Sequence, residues 1–171
     1  MLKKLTLLLV AALCSLNLAA AKVKVDQTTK EKATISLLLA AMEGDVDSIW
    51  SILSPDTRQN MIKNFGSEAK AKAEFSKHLL QIPQQMSKST GMPFQDAKEL
   101  LKAYLAEDVN KVWTFMPQQM KQQGIKECGS EEQAKAMLKK MIPQAKKEFV
   151  NMFAAQMIKI NGKWYFNSPA K

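Results

Sequence analysis

Tryptophan stands at Trp50 and again at Trp113, 63 residues on, and a run of neighbours recurs at the same interval. Asp45-Val46 falls on Asp108-Val109, Ile62-Lys63 on Ile125-Lys126, and Gly66-Ser67-Glu68 on Gly129-Ser130-Glu131. Ala71-Lys72-Ala73 falls on Ala134-Lys135-Ala136, and the register runs without a gap from Leu38 to Phe75 against Leu101 to Leu138. Only Pro55 and Pro117 are out of step, by one residue. Matches this regular read as duplication, and a duplicated unit must be one supersecondary structure written twice.

Each copy reads as three helices. In the first, Ile35, Leu38, Leu39 and Met42 are spaced as a helical stripe within Thr28 to Met42. Gly44 suits a left-handed helix end, and the Asp45 carboxylate can accept the open amides of the helix that follows. Val46, Ile49, Trp50 and Leu53 form that helix's inner face, and Pro55 restarts the chain where its missing N–H costs nothing. After Gly66 and a Ser67 cap, Ala71, Phe75, Leu79, Ile82 and Met86 continue at helical spacing, with a kink or break expected at Pro83. The second copy repeats the scheme. Its stripes are Leu100, Leu101, Tyr104 and Leu105, then Val112, Trp113 and Met116, then a long face from Met137 through Phe153 interrupted at Pro143. Ser87 to Pro93 reads as a turn-rich joint between copies.

The period changes near the C-terminus. Met157 to Ile160 and Lys163 to Phe166 flank Asn161-Gly162, the strongest short signal for a hairpin. A lone hairpin is marginal in water, so its apolar face must lie on helices. Lys22 to Val25 is a candidate third strand. The expected fold is therefore mainly α. Two tandem three-helix units, 28–90 and 91–155, pack as one domain closed by a β-hairpin over 156–167.

The turns Ala41-Met42-Glu43-Gly44-Asp45 and Tyr104-Leu105-Ala106-Glu107-Asp108, each followed by tryptophan, precede a closing Asn161-Gly162-Lys163-Trp164-Tyr165-Phe166. In these features, covering about a third of the sequence, the chain resembles small exported domains of the NTF2-like superfamily. That resemblance implies a curved sheet around a ligand pocket, and with it a small-ligand carrier or enzyme using Tyr165 or His78.

The first 21 residues have the layout of a secretory signal. Lys3 and Lys4 precede the apolar run Leu5 to Leu13, and Ala19-Ala20-Ala21 supplies a small-residue cleavage site. A membrane anchor needs about 20 apolar residues, and this run is shorter, ending at Ser15 and Asn17. A lipoprotein would carry a small residue before its cysteine, where Leu13 precedes Cys14. Cleavage after Ala21 leaves 23 basic against 16 acidic residues, a charge of +7, and a single cysteine, Cys128. The expected location is the periplasm or the exterior. One thiol cannot cross-link its own chain.

Candidate chemistry is sparse. His78 is the only histidine and edges an apolar stripe, so a structural role is expected. The acidic pairs Glu43/Asp45 and Glu107/Asp108 recur at one turn, and capping accounts for the recurrence better than acid–base catalysis. Met116/Met120 and Met137/Met141 lie one helical turn apart, a spacing open to Cu(I) but better explained by core filling. No catalytic residue, metal site or cofactor is assigned. Lys135, Lys139, Lys140, Lys146 and Lys147 offer a candidate surface for an anionic partner, either an envelope component or a protein client. Nucleic acid is not expected, because no aromatics interleave with these lysines. Three function classes follow: a non-enzymatic binding module, a cationic chaperone for unfolded envelope proteins, and a pocket-bearing carrier or enzyme.

Overall fold

The computed structural model describes residues 22–79 and 82–168. Residues 1–21, expected to be a secretory signal, lie outside them, as does the side chain of His78. The described residues build helices α1 (Lys30–Glu43), α2 (Val46–Ile52), α3 (Pro55–Phe65), α4 (Glu68–Leu79) and α5 (Ile82–Thr90). They continue with α6 (Phe94–Leu105), α7 (Val109–Phe115), α8 (Gln118–Cys128) and α9 (Glu131–Ala154), then strands β1 (Met157–Ile160) and β2 (Lys163–Phe166). The chain is thus mainly helical with a C-terminal hairpin, as the sequence predicts. It divides into two compact units, one running to Gln85 and resuming at Val150, the other spanning Met86–Phe149.

Helix bounds repeat at the tryptophan interval: α2 and α3 begin at Val46 and Pro55, α7 and α8 at Val109 and Gln118. The caps repeat in conformation. Asp45 sits at φ −80, ψ 82 and Asp108 at φ −83, ψ 88, each carboxylate accepting an amide three residues on. Gly66 and Gly129 both close their helices left-handed, at φ 86 and φ 93.

Among the described residues five helices stand in 28–90 and four in 91–155, where three were expected in each copy. Leu53 and Met116 take extended ψ of 141 and 137, so α2 and α7 end there, and the chain re-enters a helix at or just after Pro55 and Pro117. Proline presses its predecessor out of the helical region, which accounts for Met116 before Pro117 and for Ser54, at ψ 153, before Pro55. Proline has two further outcomes. Near Pro83 one helix has ended and α5 has begun, whereas α9 runs unbroken through Pro143. The expected interruption at Pro143 is therefore wrong. That proline is exposed, so the carbonyl it leaves unpaired is within reach of water.

The turn-rich joint is also shorter than expected. Ser89 and Thr90 hydroxyls donate back to the Met86 carbonyl at 3.1 and 2.7 Å, and α5 holds until Gly91 turns left-handed at φ 67.

In the first unit the core gathers Ala33, Trp50, Ile52, Leu53, Ala71, Met157 and Phe166. The hairpin pairs Met157 with Phe166 and Ile160 with Lys163, turning on Asn161 and Gly162 at positive φ. It is fixed to α2 by main chain: Leu53 bridges Phe166, and the Ser54 amide donates to the Phe166 carbonyl at 2.8 Å. Pro117 occupies the position matching Ser54 and has no such amide, so the second unit cannot make that bond. Its own core gathers Ala103, Val112 and Ile142 beneath Leu100, Tyr104 and Leu138.

Lys22 to Val25 does not form a third strand. Its backbone is committed elsewhere: the Val23 amide donates to Asp45 Oδ2 at 2.9 Å, and the Val23 carbonyl accepts from the Ser48 hydroxyl. Of the segment before α1, Gln27 reaches the outer edge of β2, at Trp164. Its carbonyl accepts from the Trp164 amide at 3.0 Å, and its side-chain amide donates to the Trp164 carbonyl at 2.8 Å. The sheet among the described residues has two strands, not the multi-stranded cone implied by the NTF2-like resemblance.

Candidate functional site

Lysine, tryptophan and glutamate form the same cluster in each unit. In the first, Lys72 lies 5.6 Å from the Trp50 ring centroid and pairs with Glu68 at 2.8 Å and Asp47 at 2.9 Å. These carboxylates hold the Lys72 ammonium above its ordinary pKa. In the second, Lys135 lies 5.8 Å from the Trp113 ring and pairs with Glu131 at 2.6 Å. Both tryptophans are buried beneath a cation whose charge the ring faces attract. These are structural clasps, satisfied within their own units.

The acidic pairs resolve the same way. Asp45 is buried and caps α2, accepting from the Ser48 amide, the Ser48 hydroxyl at 2.6 Å and the Val23 amide. Burial alone would raise its pKa, but the Ser48 and Val23 donors hold the carboxyl below its ordinary 3.8. Asp108 caps α7 through the Lys111 amide at 3.1 Å. Glu107 takes the left-handed position matching Gly44, at φ 58, and pairs with Lys146 at 2.7 Å. Each of these three carboxylates is engaged in capping or ion pairing.

Of the five lysines picked from the sequence, the structure uses two internally. Lys135 belongs to the Trp113 clasp, and Lys146 is held by Glu107 with its side chain 14% exposed. Lys139, Lys140 and Lys147 are exposed on α9, and no ion pair to them is found among the described residues.

Methionine departs furthest from expectation. Met120, Met137 and Met141, expected in the core, are 56%, 47% and 51% exposed. Periodicity alone placed them on apolar stripes, but α8 has no buried residue, and much of α9 faces water. Met116 is half-buried against the second core. Cys128 is a half-buried free thiol whose Sγ lies 3.5 Å from Met137 Sδ. Beside Met120, a shallow hollow of about 460 Å3 opens along α8, lined by Gln119, Gln122, Gln123 and Lys126.

Among the described residues no group of three or more His, Cys, Asp or Glu is placed to hold a metal ion. None of the helices there is long and apolar enough to cross a membrane. No protein-family model, curated protein or solved structure matches this chain.

Proposed function

We propose that the chain is an exported, non-enzymatic binding module that takes an anionic partner in the periplasm or outside the cell. One observation carries the reading: Met120, Met137 and Met141 stand about half exposed on α8 and α9, with Lys139, Lys140 and Lys147 also exposed along α9. Burying a methionine side chain is worth about 1.5–3 kcal/mol, so three left in water are costly on an ordinary surface. Flexible thioethers suit contact with partners of varied shape, and free lysines supply attraction and orientation. The same surface favours a second reading, that the partner is an unfolded envelope protein shielded from aggregation.

The test uses protein recovered from the periplasm of an expressing bacterium, which also examines export. The probe is reduced, carboxymethylated α-lactalbumin, an acidic chain that stays unfolded. Binding by calorimetry should be present at low salt and weaken steeply as salt rises, with suppressed aggregation of a heated client marking the second reading. Absence of binding at low salt refutes both readings.

A further inference from the structure

An asparagine can lose its side-chain amide to its own main chain, because its Cγ lies within reach of the next residue's amide nitrogen. Ring closure needs a small successor, a backbone outside a helix and a carboxamide that nothing holds. Asn60 and Asn64 lie in α3, Asn110 in α7 and Asn151 in α9, and a large residue follows each of them. There the backbone is fixed by the helix. Asn167 precedes Ser168 beyond β2, but its Oδ1 lies 2.9 Å from the Ser54 hydroxyl and 3.4 Å from that of Thr57. The Ser168 amide that would attack it donates instead to Thr57 Oγ1 at 3.1 Å.

Asn161-Gly162 meets all three conditions. The pair turns the hairpin at φ 48 and φ 81, between the ladder partners Ile160 and Lys163, and both residues are exposed. No hydrogen bond from the Asn161 carboxamide or the Gly162 amide is found among the described residues. A Cβ built on Gly162 would meet no atom within 4 Å, so that side of the turn stands open to solvent.

We infer that Asn161 is a site of spontaneous deamidation whose product loosens the hairpin from the first unit. Solvent base takes the Gly162 amide proton, the nitrogen forms a bond to Asn161 Cγ, and the Cγ–Nδ2 bond breaks as ammonia leaves. Water then opens the imide at either carbonyl, giving aspartate or isoaspartate. Aspartate leaves the main chain unchanged, and Asp-Gly suits the same turn. Isoaspartate routes the main chain through Cβ and Cγ, so the two-residue turn gains a carbon and loses its register. That register sets Met157 opposite Phe166, both buried in the first core, and aims the Phe166 carbonyl at the Ser54 amide. Chemistry at an exposed tip thus reaches the core along the ladder.

The full chain is held folded in mildly alkaline buffer, and peptide mapping by mass spectrometry follows each asparagine for a gain of a single mass unit. Asn161 should convert first, with isoaspartate identified by labelling with an isoaspartyl methyltransferase. In urea Asn167 should convert as well, because the fold alone protects it. The isoaspartyl species, separated by chromatography, should unfold at lower urea than the untreated chain. Asn161→Asp should keep the untreated midpoint. Asn161→Gly, which also suits the turn, should keep its midpoint through the same incubation.

Conversion of Asn167 or a helical asparagine ahead of Asn161 in the folded chain overturns the site. An isoaspartyl species as stable as Asn161→Asp overturns the link from turn to core. So does an incubated Asn161→Gly chain that loses stability as the unsubstituted chain does.

Discussion

Aspartate at a helix start can be read from sequence, but its surroundings cannot. Asp45 and Asp108 occupy matching caps, yet only Asp45 also receives the Val23 amide and the Ser48 hydroxyl. Position 48 is serine in the first copy, whereas Lys111 stands there in the second, so part of the difference was written in the sequence. The rest came from a segment expected to be a strand. The folded Asp45 carboxyl titrates below the ordinary 3.8, so its contribution is fully present above that value and is lost as pH falls through the lower, folded value. Asp45→Asn, which cannot be ionised, should flatten the acid limb of stability against pH below 4. Asp45→Ala should in addition cost about 1 kcal/mol of cap at neutral pH. Urea midpoints at a series of pH values check both, and an acid limb unchanged in Asp45→Asn would show that the carboxylate contributes nothing through its charge.

At the scale of elements, glycine and proline made most boundaries legible. Gly44, Gly66 and Gly129 end helices left-handed where the sequence placed ends, and Pro55 opens one. Glu107 shows the limit of that rule. It holds the same left-handed turn as Gly44 without being glycine, with Lys146 across from its carboxylate. The misreadings involve competition between local chemistry and a longer surface. Serine and threonine suggested a loop over Ser87–Thr90, but their hydroxyls satisfy the Met86 carbonyl and extend the helix instead. Pro143 suggested a break, but Ala134, Ile142 and Val150 are buried along α9 on both sides of it, so breaking the helix would forfeit that burial. The proline therefore persists as a local cost. Pro143→Ala should restore the hydrogen bond to the Lys139 carbonyl and stabilise the protein by about 1–3 kcal/mol. A raised urea midpoint with an unchanged slope is the expected result. A lowered midpoint would mean that the bend itself serves the packing.

For the whole molecule, the helical class was legible because apolar residues recur at helical spacing along most of the chain. The candidate site was not legible. Methionines at helical spacing look alike whether they face a core or water, and only the α8 and α9 surfaces distinguish them. The two tryptophans test how far equal sequence implies equal energetics. Both are buried, 5% and 7% exposed, and both lie under a lysine at nearly the same distance. Their neighbours differ. Trp50 is enclosed by Ile52, Leu53, Met157 and Phe166, the last two held in place by hairpin pairing and the Ser54 bond. Trp113 borders Gly124, where no side chain fills the space. Replacing either with alanine should cost about 3–5 kcal/mol, with the Trp50 loss at the upper end because its walls are pinned and cannot collapse into the cavity. Hydrogen exchange of the α2 amides in Trp50→Ala, and of the α7 amides in Trp113→Ala, reads each loss inside its own unit. A loss below about 1 kcal/mol at both positions would mean that neither tryptophan anchors the unit built around it.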